Sequence, residues 1–464
     1  MPRIENRTFA ELQLGDSASL TRTLTRTDIE SFAVMSGDVN PAHVDEQFAR
    51  DDPFHQVVAH GMWGGALISA VLGTQLPGPG TIYLDQSLHF AKPVAIGDTV
   101  TATVTVASMD TTRHRATLAC SIRNQRDEEV IVGEAKVIVP TAKISRERVE
   151  LPKIELRRDS HRHRELISRA AGQEPLRTAV VHPVDELSLA GAIAAARAGL
   201  IVPVLVGPER RIRAAAERAG IELGDCELVA SEHSHAAAAQ AVALARAGRV
   251  GALMKGALHT DELMQAVVDR DLGLRTDRRI SHVFVIDAPT YPRLLFVTDA
   301  AVNIAPDLYG KRDIAQNAID LAHALGVPEP RLAVLAAVET VNADIPSTLD
   351  AAALCKMAER GQISGGILDG PLAFDNAVSE SAARSKGITS AVAGCADILL
   401  VPDLEAGNIL AKQLEYLAHA QVAGIVLGAR VPIVLTSRAD GTTARLVSCA
   451  IAKALVNQPR MGKP

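Results

Sequence analysis

Residues 57–72 read Val-Val-Ala-His-Gly-Met-Trp-Gly-Gly-Ala-Leu-Ile-Ser-Ala-Val-Leu. Wound into a helix, this segment is apolar on most faces and offers water no side to lie against, so something must wrap it. The wrapper follows in sequence. Residues 82–90, 98–107, 115–124 and 129–139 are rich in β-branched or alternating side chains and are bounded by turn formers, which predicts four strands. Residues 1–140 are therefore expected to form one α+β domain, an antiparallel sheet curled around a central helix.

Upstream lies Phe32-Ala33-Val34-Met35-Ser36-Gly37-Asp38-Val39-Asn40-Pro41-Ala42-His43. Gly37 and Pro41 disfavour a regular helix and favour a tight overhanging loop. Such a loop can project Asp38 and His43 into one pocket, where a carboxylate and an imidazole hold a water and move protons at neutral pH. His60-Gly61-Met62 opens the helix. Its first N–H groups lack helical partners and carry partial positive charge, suited to an oxygen that becomes an enolate. Gly61 lets a ligand approach that backbone closely.

Residues 9–140 resemble the MaoC-like, (R)-specific enoyl-CoA hydratases of the hot-dog fold. The likeness rests on Phe32 through His43, on Val58-Ala59-His60-Gly61-Met62, and on Leu76-Pro77-Gly78 leading to Ile82-Tyr83-Leu84 and Gln86-Ser87-Leu88. It implies that Asp38 and His43 are the catalytic pair and that Gly61 supplies an oxyanion amide. Asn40 would orient the loop. Ser69 would brace the pair from the helix, although a helical serine equally bonds its own backbone. The implied reaction adds water across a trans-2-enoyl-CoA to give an (R)-3-hydroxyacyl-CoA; which of Asp38 and His43 is base and which acid stays open. Trp63-Gly64-Gly65 brings small residues to a place where bulkier ones would line the acyl tunnel, so acyl length also stays open.

Residues 141–175 are densely charged, with little apolar periodicity before Leu166, and read as a solvated linker carrying a short charged helix or, more sharply, as a docking surface for the second domain. From 176 to 464 short apolar runs (among them 179–182, 202–207, 283–287, 332–338, 398–401 and 431–435) alternate with Ala-rich helical stretches such as 187–198, 234–247 and 312–324. That alternation predicts parallel sheet with helices on both faces. No GxxxxGK[ST], strand-linked GxGxxG or HExxH is present. Polar residues instead cluster where strands end, the usual ligand edge of such sheets: Lys255; Asp299 with Asn303; Asp369; Asp403 with Asn408 and Lys412; and Thr436 to Asp440.

This second segment, about residues 175–460, resembles the phosphate acetyl/butyryl transferases. The likeness is carried by Met254-Lys255-Gly256, Thr298–Asn303, Asp369-Gly370-Pro371, Pro402-Asp403 through Lys412, and Thr436-Ser437-Arg438. It implies a two-lobed α/β fold related to isocitrate and isopropylmalate dehydrogenases. It implies reversible acyl transfer between coenzyme A and inorganic phosphate, with these as substrates and with no bound cofactor or metal. Ser437 and Arg438 match the phosphate site, where a guanidinium grips phosphate bidentately. The acidic residue that some relatives carry six positions after the arginine is Ala444 here, and Asp440 is the stand-in candidate. Lys255 either binds phosphate or caps a helix.

Composition bounds the partners. Among 464 residues the net charge is −6 and aromatic content is 3%, which argues against nucleic acid and an anionic membrane surface. The five cysteines are scattered without a CxxC, and no long apolar run or signal core is present, so a reducing, cytoplasmic location is expected. Small-molecule substrates and a homo-oligomer complete the expectation. Two alternatives stand beside it. The first domain could be a non-catalytic oligomerisation module, or the second a nucleotide-dependent dehydrogenase of the related fold.

Overall fold

The apolar segment does form a helix, Gly61–Thr74, in the computed structural model, which describes residues 3–151, 156, 161–435 and 441–457. The helix begins four residues later than its apolar run. Residues 57–60 stay extended, Val58 bridging to Ala95, and His60 serves as the N-cap residue. Trp63, Leu67, Ile68, Val71 and Leu72 are buried. They share a core with Val100, Val104, Leu118, Ile122 and Val137 from the sheet. The strand order is Ser17–Thr23, Thr99–Asp110, Arg115–Asn124, Glu129–Ile138, Ile82–Phe90, antiparallel throughout. Thr99–Asp110 shows why. Val100, Ala102, Val104 and Val106 face the helix while threonines face out, the period-2 signature of a half-buried strand.

The stretch that suggested an overhanging loop is half helix. Arg26–Ser36 is closed at its start by a reciprocal Thr25–Asp28 capping box and ends at Gly37, whose φ of 77° few other residues adopt. Asn40 then caps the one-turn helix Pro41–Val44. The threonine-rich strand Ser17–Thr23 gave little apolar signal because most of its residues are exposed.

The chain divides into two compact units between Arg157 and Arg158, which corrects the 141–175 linker at both ends. Ser145–Glu147 pairs with Arg3–Glu5 in the first unit. The helix Arg162–Ala171 belongs to the second, where Leu166 and Ala170 join the core. Its Arg162 donates to the fully buried Asp287 carboxylate at 2.6 Å. Of the two readings of this segment the docking one describes the helix, whose apolar contribution is confined to one narrow face.

The second unit is built on an eleven-stranded sheet. Its order is Glu227–Ala230, Ile201–Gly207, Leu176–Val181, Ala252–Lys255, Ile433–Val434, Gln421–Leu427, Ser281–Asp287, Leu295–Thr298, Ile398–Leu400, Arg331–Leu335, Ile367–Leu372. It is mixed, not wholly parallel. Gln421–Leu427 runs against both neighbours, and Ser281–Asp287 against Leu295–Thr298. The connections decide this. Residues 288–294 and 428–432 are too few for a parallel crossover, so each joins antiparallel partners. No helix among the described residues is long and apolar enough to cross a membrane.

If Arg162–Ala171 is integral to the second unit, Arg162→Ala strands a buried carboxylate. It should destabilise that unit by on the order of 2 kcal/mol, read as a lower urea midpoint for its unfolding transition with an unchanged slope.

Candidate functional site

In the first unit three side chains converge. Asp38, His43 and His60 place one nitrogen or oxygen each within 4.8 Å of the others. The backbone fixes both imidazoles. His43 Nδ1 lies 2.9 Å from the Val58 carbonyl, so it must be the protonated nitrogen, and Nε2 keeps its lone pair. His60 Nε2 lies 3.0 Å from the Asp38 carbonyl and likewise donates. The rings stack at 4.1 Å between centroids, and Phe32 packs against His60 at 4.9 Å. One side of Asp38 is held by the Asn40 amide at 3.1 Å, and Asn40 Oδ1 accepts from the Ala42 amide, so Asn40 shapes the turn between the pair.

Sequence reading had placed Asp38, Asn40, His43 and Gly61 in this neighbourhood, but it treated His60 only as the start of a helix. His60 is 22 residues from Asp38 along the chain and 3.0 Å from its carbonyl in space, a proximity that spacing alone does not reveal. Ser69 is not brought to the group. It lies eight residues into the helix, about 12 Å along its axis, is exposed, and makes no described hydrogen bond to the other three. Asp38, His43 and His60 are also the set of described residues with spacing for a metal ion. With Nε2 donating to the Asp38 carbonyl, His60 Nδ1 keeps its lone pair and is buried without a hydrogen-bond partner among the described residues.

His43, His60 and Gly61 sit at one side of a cavity of about 270 Å³ whose other walls are apolar apart from Lys92 and include Phe54, Trp63 and Ile131. Gly61 opens the helix and lies against Phe90; a Cβ there would come within 3.0 Å of the Phe90 ring. The arrangement offers a carboxylate and a basic imidazole nitrogen on one flank, helix N–H groups beside them, and a dry recess behind.

In the second unit the expected residues separate. Met254, Val434, Ile425, Val283, Thr298, Leu400 and Val334 form one transverse row of paired residues. Because Leu295–Thr298 runs opposite to Ala252–Lys255, Lys255 leaves this row toward one sheet edge and Asp299 toward the other. Four strand spacings, about 19 Å, lie between them. Leu435 leaves on the Lys255 side.

On the far edge, Asp299 accepts from the amides of Ala301, Val302 and Asn303 at 3.0–3.1 Å. Burial pushes its carboxyl above the usual range despite those bonds. Asn303 also donates to the Ile280 carbonyl and accepts from Arg279. Asp403 caps the helix Leu404–Leu417 at the Ala406 amide, and Asn408 ties that helix to the Ala300 carbonyl. These polar atoms are spent on structure. Lys412 is exposed on the same helix, and Asp369 turns onto its own Gly370 amide at 2.8 Å. Lys255 is buried at the end of its strand. Ser437, Arg438 and Asp440 lie outside the described residues.

Comparison with known proteins agrees with this division. The family model described as "MaoC like domain" matches residues 13–127, and the one described as "Phosphate acetyl/butaryl transferase" matches residues 230–453. A phosphate acetyltransferase of Rhizobium meliloti is 64% identical over 287 residues, 62% of this chain and 91% of that protein. The crystal structure of a branched-chain phosphotransacylase from Enterococcus faecalis V583 is 28% identical, covering 61% of this chain and 100% of that one with a TM-score of 0.54. The R-hydratase PhaJ1 from Pseudomonas aeruginosa is 41% identical, covering 33% of this chain and 99% of that one with a TM-score of 0.33. The chain belongs to the phosphate acetyl/butyryl transferase family through its second unit and carries a MaoC-like domain ahead of it.

Proposed function

We propose that the chain joins two acyl-CoA activities: hydration of trans-2-enoyl-CoA in the first unit and reversible exchange of a short acyl group between CoA and phosphate in the second. Membership of the transferase family supports the second activity. The observation that carries the first is the meeting of Asp38, His43 and His60 beside an apolar cavity.

In the hydration, a water held between Asp38 and His43 attacks C3. One of the two takes the water's proton, and a proton is delivered to C2. Charge that develops on the thioester oxygen faces the N–H groups at Gly61, where a preorganised donor counts most. His60 transfers no proton in this scheme; it donates to the Asp38 carbonyl and its ring packs against His43. In the transfer, a phosphate oxygen attacks the thioester carbon, the C–S bond breaks, and the departing thiolate takes up a proton. Arg438 neutralises the phosphate, and Lys255 is a second cation for it at the end of the strand Ala252–Lys255.

Asp38→Asn and His43→Gln should each lower kcat for crotonyl-CoA hydration by about 10²–10⁴-fold, followed as loss of enoyl absorbance; an unaffected rate refutes the assignment and leaves the first unit an assembly module. His60→Ala should lower kcat by about fivefold with little change in KM, as loss of one neutral hydrogen bond of ~1 kcal/mol predicts, and His60→Gln should restore part of it. Arg438→Ala should abolish phosphate-dependent release of CoA from acetyl-, propionyl- and butyryl-CoA, measured with a thiol reagent, while leaving hydration intact. Absence of release by the unaltered protein with every acyl group would overturn the transferase reading.

A further inference from the structure

The cavity of the first unit has a direction. At its mouth Gly61, Phe90 and Lys92 are exposed and His43 is half-buried. At its inner end Trp63, Val100, Ile122 and Ile131 are all less than one-tenth exposed. What closes that end is visible at Gly64, one turn into the central helix. A Cβ built there would lie 2.4 Å from Ile131 Cδ1 and 3.1 Å from Ile122 Cδ1. The two isoleucine tips therefore reach the helix backbone itself, through the space that a side chain at position 64 would fill. The small residues after Met62 do not lengthen the tunnel. They let the sheet seal it.

We propose that Ile131, backed by Ile122 and seated on Gly64, is the floor of the acyl site and restricts the first unit to short-chain enoyl thioesters. This deepens the hydratase reading and rests on it. The scale follows from the helix. Gly64 is three residues beyond Gly61, about 4.5 Å of axial rise. An extended chain of ~1.5 Å bonds places only about three or four carbons beyond the carbonyl in that length. The cavity volume of about 270 Å³ is correspondingly small for a ligand pocket. Acyl groups of about four or five carbons fit by this measure, and longer ones meet the isoleucines.

The chain contains one tryptophan, and it lines this cavity, so its emission reports on the first unit even though the second also takes acyl-CoA. The experiment titrates Trp63 fluorescence with butyryl-, hexanoyl-, octanoyl- and decanoyl-CoA in the full chain. It also measures hydration of the matching trans-2-enoyl-CoA series. The unaltered protein should bind butyryl-CoA at least about tenfold more tightly than decanoyl-CoA, the scale of discrimination a closed apolar pocket provides. Ile131→Ala should erase most of that difference. Gly64→Ala should move the limit the other way, weakening hexanoyl-CoA before butyryl-CoA, because its methyl drives the isoleucine tips into the cavity. Should Ile131→Ala fail to fold, Gly64→Ala and Ile122→Val carry the test.

Equal affinity for butyryl- and decanoyl-CoA in the unaltered protein overturns the proposal. So does an unchanged ranking in folded Ile131→Ala, or no Trp63 response at any chain length. A ranking that shifts as expected without hydration of crotonyl-CoA upholds the floor while removing the catalytic reading.

Discussion

A helix with no polar face must be enclosed, and the first unit is the enclosure. Burial of Trp63, Leu67, Ile68, Val71 and Leu72 sets the curvature of the sheet, and each large buried side chain contributes about 1.5–3 kcal/mol. Enclosure has a chemical by-product. A wrapped helix must begin somewhere, and where it begins it presents unpaired N–H groups at the rim of an apolar space. Here that rim also receives Asp38 and His43, which are held by carbonyl and amide partners from neighbouring loops. The site arises where the core opens to solvent.

Much of this was legible in the sequence because the signals were local. The continuous apolar run, the alternating strands and the Gly/Pro interruption between Asp38 and His43 each span a dozen residues or fewer. His60 was not legible as a member of the group, since its contact with Asp38 depends on the path of residues 44–59 over the helix end. Ser69 misled for the complementary reason. Its place in the family pattern says nothing of which way it faces, and here it faces solvent.

The second unit was readable as alternating strand and helix but not as a mixed sheet. Strand polarity is set by connection length, and the connections at 288–294 and 428–432 looked like ordinary loops. Their effect is large. They invert the direction in which strand ends point, so residues that all follow strands in sequence occupy opposite edges in space. The motif around Asp299 and Asn303 is consumed by its own backbone and by Arg279 and Ile280, whereas Lys255 and Leu435 leave their paired strands toward the opposite edge.

The pairing of Ala252–Lys255 with Ile433–Val434 has a further consequence for how the protein is made. The first unit's sheet is complete by Ile138 and can close while the rest of the chain is still on the ribosome. The second unit's sheet cannot. One partner of its fourth strand is Ile433–Val434, so an apolar strand edge stays uncovered from the synthesis of Lys255 until that later strand emerges. Domains fold as units from the N-terminus, and unpaired edges invite misassembly. The early unit is then closed while the later one still lacks a strand, and premature termination anywhere before residue 433 leaves that sheet without its middle.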